Sequence, residues 1–313
     1  MDELILDILQ QLRDGSQGAL DTHQLEMLIN SHNSGIDSSA HSTEREKLIP
    51  KRAILPYFLQ VKQKNNELWQ SWNVTPELEE RFIRSVRMKP RRTASGVATI
   101  TVITRPHTCS SNCIYCPCDL RMPKSYLANE PACQRAELTF FDPYVQVAAR
   151  LQALHQMGHS TDKVELIVLG GTWSDYPEGY QYWFIKELFR ALNEWPNSPN
   201  HIKERLDWYT SFGLKNTEEA LSSFVAEQQA AVFDDTATYN QAFHKLYDTS
   251  QPHQSAWSQM QSTYDELEEQ QHVNETAAAR VVGLVIETRP DTITPDNLRM
   301  FRQLGCTKIQ IGI

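Results

Sequence analysis

The stretch "VATITVITRPHTCSSNCIYCPCD", residues 97 to 119, decides the fold. Its first eight residues are a continuous, β-branched run, the pattern of a strand covered on both faces. Its second half places Cys109, Cys113, Cys116 and Cys118, four of the chain's six cysteines, directly after that strand. Working outward, "DPYVQVAARLQALHQMG" (142 to 158) has helical spacing, with Asp142 as cap and Gly158 as stop. "KVELIVLGG" (163 to 171), "RVVGLVIET" (280 to 288) and "TKIQIGI" (307 to 313) read as strands. "EGYQYWFIKELFRALNEW" (178 to 195) and "TPDNLRMFRQLG" (294 to 305) read as helices. This alternation predicts an α/β fold of parallel β/α units joined by right-handed crossovers.

Two regions depart from the rhythm. Residues 196 to about 263 form a polar, mostly helical insertion, with "PNSPNHIKERL" (196 to 206) as its entry linker. Its acidic charge reads as a solvated decoration. Residues 1 to about 92 form a helical N-terminal region. There "ELILDILQQL" has apolar residues at helical spacing, and "STEREK" offers a capping box through Thr43 and Glu46. "TPELEERFIRSV" starts with Thr75 as cap and Pro76 in the first turn. The chain stops at Ile313 inside a strand, so it is expected to be a fragment of something longer.

At 313 residues and 40% hydrophobic content, the chain is long enough to bury the core of one large domain and a smaller one. No run approaches the ~18 to 20 apolar residues of a membrane span. The start, "MDELILDILQQLRDG", is acidic and amphipathic rather than basic and then apolar, unlike a secretory signal. A cytoplasmic protein with reduced thiols is the expectation, which removes a disulfide framework. Net charge is −9, against wholesale attraction to nucleic acid. Yet "RFIRSVRMKPRR", Arg81 to Arg92, holds six basic residues and no acid. Such asymmetry can hide a polyanion site in an acidic protein, although a solvated helix face reads the same way.

Cys109, Cys113 and Cys116 form C-x-x-x-C-x-x-C at the carboxyl end of a strand, where the loops of β/α folds build active sites. Three thiolates on one loop can hold three irons of a 4Fe–4S cube and leave the fourth open. The competing reading is a structural zinc site that adds Cys118 as fourth ligand. It is weakened because no second C-x-x-C knuckle exists, Cys133 and Cys306 lying alone. Tyr115 would set an aromatic face beside the cluster. Gly170, Gly171 and Thr172 end the second strand, and Glu287, Arg289 and Asp291 follow the third. A Glu287–Arg289 ion pair of purely structural role is the alternative for the charged pair.

The cysteine pattern resembles that of the radical S-adenosylmethionine (SAM) enzymes, and this implies a partial, TIM-like (β/α) barrel. The resemblance implies that an open iron chelates SAM, and that Gly170, Gly171, Thr172, Glu287 and Arg289 help bind it. The segments "KPRRTASGVATITVITRP", "CIYCP", "MPKSYLANEPACQRA", "KVELIVLGGT" and "HVNETAAARVVGLVIETRPD" narrow it further. Together they resemble the catalytic subunit of Elongator and its bacterial and archaeal single-chain relatives, from about residue 45 to the end. This second resemblance implies a tRNA-modifying enzyme that builds 5-carboxymethyluridine at the wobble uridine from acetyl-CoA. Lys163 matches an acetyl-CoA contact, and Lys124, Ser125, Tyr126, Glu130 and Arg135 match a substrate-proximal segment. Arg84, Arg87, Lys89, Arg91 and Arg92 fall where relatives grip tRNA, through phosphate contacts that weaken with salt. An electron donor is a further implied partner. The three-residue gap between Cys109 and Cys113 fits bacterial and archaeal members, for which no accessory Elongator subunits are expected. The family's C-terminal acetyltransferase-like domain is expected to lie beyond this chain, so the fragment alone is expected to bind rather than turn over.

Overall fold

The computed structural model describes residues 1–15, 18–34, 48–111 and 113–312. The chain divides into two compact units, one of Met1–Gly96 with Ala153–Ser160, the other of Val97–Gln152 with Thr161–Ile313. Among the described residues no helix is long and apolar enough to cross a membrane.

The first unit is helical. Helices α1 (Asp2–Asp14), α2 (Thr22–Asn33), α3 (Lys51–Lys64), α4 (Asn66–Ser71) and α5 (Pro76–Val86) supply its core. Apolar residues of α1 at helical spacing, Leu4, Ile5, Ile8, Leu9 and Leu12, are all buried. Phe58 stacks on Phe82 at 4.1 Å and on Trp72 at 6.0 Å between ring centres. Thr75 caps α5 as expected, its hydroxyl accepting from the Leu78 N–H at 3.2 Å. The capping box read at Thr43 and Glu46 lies outside the described residues.

The second unit carries a four-stranded parallel sheet in the order β1 (Ala98–Ile103), β2 (Lys163–Leu169), β3 (Arg280–Thr288) and β4 (Lys308–Ile311). Helices α6 (Pro131–Leu138) and α7 (Pro143–Gln156) follow β1, α8 (Glu178–Asn193) follows β2, and α14 (Pro295–Gln303) follows β3. Asp142 caps α7, accepting from the Val145 N–H at 2.8 Å, and Gly158 stops it with φ +82°. One expectation needs correction: β1 is not covered on both faces. Thr99 is exposed and Thr101 half-buried, whereas Ala98, Ile100 and Val102 are buried. β2 alternates in the same way, so across these two strands one face is covered and the other partly open, while β4 is exposed or half-buried throughout. Among the described strands β3 alone has a continuous buried run of four, Gly283 to Ile286.

The insertion between α8 and β3 holds α9 (Ile202–Ser211), α10 (Glu218–Phe233), α11 (Tyr239–Phe243), a π-helical turn (His244–Asp248), α12 (Gln251–Trp257) and α13 (Tyr264–Asn274). The entry segment is no linker, because α9 starts inside it. Arg205 of α9 pairs with Asp142 at 2.8 Å and Glu187 at 2.7 Å, both almost fully buried. Nor is the insertion a solvated decoration. Val225, Tyr239, Phe243, Leu246 and Tyr247 pack around Leu120 of the cysteine loop.

Candidate cluster and cofactor site

Parallel register brings three loops to one edge of the sheet. Ile103 at the end of β1 pairs with Leu169 at the end of β2, and Val168 pairs with Ile286 near the end of β3. The segments after these strand ends therefore share one rim: the cysteine loop, Gly170–Thr172, and Glu287–Arg289. A cavity of about 290 Å³ opens there. Cys109, Cys113, Cys116, Tyr115, Lys124, Gly170, Gly171, Thr172, Glu287 and Arg289 all line it.

All six cysteines are free thiols. Cys109 is buried, with its sulfur 3.4 Å from the Thr172 hydroxyl. Cys116 lies 3.0 Å from the Ser125 hydroxyl, and Cys113 lies 3.4 Å from that of Ser111. The Ser111 hydrogen bond, aided by the charge of Arg289, holds the Cys113 thiol below its ordinary pKa. Burial does the reverse for Cys133, pushed up to about 12, and raises Cys118 and Cys306 as well. Among the described residues no three His, Cys, Asp or Glu side chains are grouped to hold a single metal ion. A mononuclear zinc site needs four ligand atoms about 2.0–2.3 Å from one point. A cluster asks instead for three thiolates that share one cavity, each to its own iron, and Cys109, Cys113 and Cys116 do line one cavity.

The remaining anticipated residues divide. Tyr126 donates to Glu287 Oε2 at 2.5 Å, and burial with this contact raises the phenol's pKa. Arg289 pairs with Asp291. The Glu287–Arg289 pair, weighed as a purely structural alternative, is thus not formed. Lys124 is almost fully buried and donates to the Ser111 carbonyl at 2.9 Å, bracing the loop at the cavity wall. Tyr115 is three-quarters exposed beside a fully exposed Ile114. Lys163 begins β2 and is exposed, at the end of the strand opposite to the cavity, so the fold does not bring it to the cysteines. In the helical unit Arg84 pairs with Glu80 at 2.5 Å. Arg87 is half-buried there, and Lys89, Arg91 and Arg92 are exposed.

The sequence reading missed the residues that hold the loop in shape. Asn240 grips the backbone of Cys109 at both ends: its Nδ2 donates to the carbonyl at 2.8 Å, and its Oδ1 accepts from the N–H at 3.1 Å. Gln229 does the same with the next turn, accepting from Leu120 N–H and donating to the Cys118 carbonyl, both at 2.8 Å. Tyr247 donates to the Leu120 carbonyl at 2.7 Å and Tyr239 to the Met122 carbonyl at 2.9 Å. Asp175 accepts from Ser110 N–H at 2.7 Å. A signal was present: "YNQAFHKLY" (239 to 247) repeats large apolar residues at helical spacing, out of keeping with a solvated helix.

The thiol environments carry a measurable consequence. In cluster-free protein, Cys113 is expected to react with iodoacetamide at neutral pH at least about ten times faster than Cys133, since the thiolate is the nucleophile. Ser111→Ala should slow Cys113. Site-resolved mass spectrometry with equal rates at both cysteines would contradict the described loop.

No protein-family model matches the sequence. The chain is 32% identical over 245 residues to the tRNA uridine(34) acetyltransferase of Methanocaldococcus infernus, covering 76% of this chain and 33% of that protein. It is 28% identical over 247 residues to Elongator complex protein 3 of Schizosaccharomyces pombe, covering 75% and 33%. Among solved structures, archaeal Methanocaldococcus infernus Elp3 with an N-terminal deletion aligns with 69% of this chain and 28% of its own, at 26% identity. The TM-score of that pair is 0.36, too slight an overlap to bear on the fold. The chain spans about a third of the length of the curated relatives it matches.

Proposed function

Because this chain is a homologue of the tRNA uridine(34) acetyltransferases and of Elongator complex protein 3, we propose that it is the cofactor-holding part of an enzyme that modifies the wobble uridine of tRNA. The observation that carries the reading is the gathering of Cys109, Cys113 and Cys116 with Gly170–Thr172, Glu287 and Arg289 on one cavity. The three thiolates would hold a 4Fe–4S cluster through three of its irons. Bound there, such a cluster supplies the electron for reductive cleavage of SAM, radical chemistry that belongs to the cofactor rather than to the protein.

The protein's own residues bind and orient. Glu287 and Arg289 offer opposite charges to the ammonium and carboxylate of an amino-acid moiety. At Gly171 a Cβ would make only ordinary contact with the protein, 3.7 Å from the Lys124 backbone nitrogen, so the bare main chain there is free to face a bound ligand. Lys124, buried on the cavity wall, holds the cysteine loop through the Ser111 carbonyl. The acetyl donor is acetyl-CoA and the product 5-carboxymethyluridine in this reading, with Lys163 contacting the acyl donor away from the cysteines. The target base has to leave its stack to reach so recessed a site. Arg84, Arg87, Lys89, Arg91 and Arg92 would supply phosphate contacts, and the four-stranded sheet would be part of a barrel.

The test is anaerobic reconstitution with iron and sulfide, then metal analysis. About four irons per chain and a brown chromophore, lost in Cys113→Ala, are expected. Colourless protein carrying one zinc would replace this reading with a zinc-stabilised RNA-binding module. For the reaction itself, the complete enzyme incubated with tRNA, SAM, acetyl-CoA and reductant should yield carboxymethyluridine by nucleoside mass analysis. An intact cluster without that product would point to another radical substrate.

A further inference from the structure

A second cavity, of about 430 Å³, lies between the segment just before the cysteines, the start of α8 and the insertion. Arg105 lines it. This side chain is only 8% exposed, yet among the described residues no acidic side chain pairs with it. Its guanidinium is stacked between two rings, 4.0 Å from the Trp257 centroid and 4.8 Å from that of Tyr180. Stacking uses the faces of the group. It does nothing for the five N–H donors, which lie in the plane of the group. Among the described residues only Nη1 has an acceptor, the Pro106 carbonyl at 3.1 Å, and Nε is buried without a partner. Taking a guanidinium out of water is costly unless geometry and hydrogen bonds compensate.

We propose that this cavity binds a small molecule through an oxyanion, a phosphate or carboxylate group, received by the guanidinium of Arg105. The planar fork of arginine suits either group in bidentate fashion. The ring faces at Tyr180 and Trp257 hold the fork in place and shield it from bulk water. A polynucleotide backbone is the poorer occupant, because a cation this deeply recessed does not reach phosphates on the outside of a folded RNA. The rim carries one opposing charge, Asp248, exposed and paired with His244 at 2.8 Å. It lies on the cavity wall and weakens anion binding without abolishing it. The site is separate from the cysteine cavity and stands whether or not a cluster is held there.

The experiment uses inorganic phosphate and acetate as probes, against chloride at equal ionic strength, with thermal unfolding and phosphorus NMR as readouts. Phosphate or acetate should raise the unfolding temperature saturably, with a dissociation constant of about 1 mM or tighter, and whichever does identifies the class. Arg105→Gln should weaken that binding at least about tenfold. Asp248→Asn, an exposed change that spares the fold, should tighten it roughly two- to fivefold by removing a nearby like charge. Should Arg105→Gln fail to fold, Asp248→Asn decides alone. Equal shifts with chloride, or binding indifferent to Asp248→Asn, would overturn the proposal and leave a water-filled cavity.

Discussion

Gly170→Ala is expected to destabilise the sheet unit by more than about 3 kcal/mol, the upper part of the range for overpacking, read as a lower urea midpoint. A Cβ at this position would stand 1.8 Å from Thr104 Oγ1, 3.0 Å from its Cβ and 3.2 Å from its Cγ2. Thr104 has little room to yield. Its N–H donates to the Leu169 carbonyl at 3.0 Å, extending the β1–β2 ladder. Its hydroxyl lies 2.7 Å from that of Tyr176, which donates at 2.8 Å to the Arg105 carbonyl. Adding Thr104→Ala to the variant removes two of the three clashing atoms and should recover roughly half of the loss. Gly171→Ala serves as the contrast, since its nearest atoms lie at 3.7 and 3.8 Å, ordinary contact. It should fold within about 1 kcal/mol of the parent and, under the proposed function, weaken SAM binding alone. Equal midpoints for the two alanine variants would refute the close approach of Gly170 to Thr104.

The second large effect concerns Asn240. Asn240→Ala strips both partners from the Cys109 backbone, and each unpaired buried polar group costs about 1–3 kcal/mol. The penalty should appear locally, as opening of the cysteine loop rather than global unfolding. Alkylation of Cys109 in cluster-free protein should accelerate roughly tenfold or more, because 1.4 kcal/mol corresponds to a factor of ten. Iron retained per chain after reconstitution should fall to less than about half. Asn240→Asp keeps the acceptor for the Cys109 N–H but loses the donor to its carbonyl, so it should fall between. A Cys109 alkylation rate unchanged in both variants would mean that the insertion does not hold the loop. That readout is independent of any cluster, so it separates the scaffold from the proposed chemistry.

These two variants also mark how far the sequence could be read. The strand positions were legible because β-branched runs bounded by glycine and helices are local patterns; β3 spans the residues anticipated for it, Arg280–Thr288. The cysteine loop was legible for the same reason, its spacing being a property of ten consecutive residues. What escaped was the insertion, since charge dominates its composition while its aromatic stripe is spread over short helices. The partial openness of β1 escaped too, because a β-branched run does not reveal which face its neighbours cover.

By itself, then, the amino-acid sequence determined the parallel α/β framework and the three thiols at the end of its first strand. Local periodicity and loop spacing are sufficient causes for both. Only the tertiary structure decided that Asn240 holds Cys109 across 131 residues of chain, that Gly170 rather than Gly171 is sterically obligatory, and that Arg105 is buried without a counter-charge among the described residues. Each of those depends on which distant groups the fold brings within a few ångströms, and no local pattern encodes that.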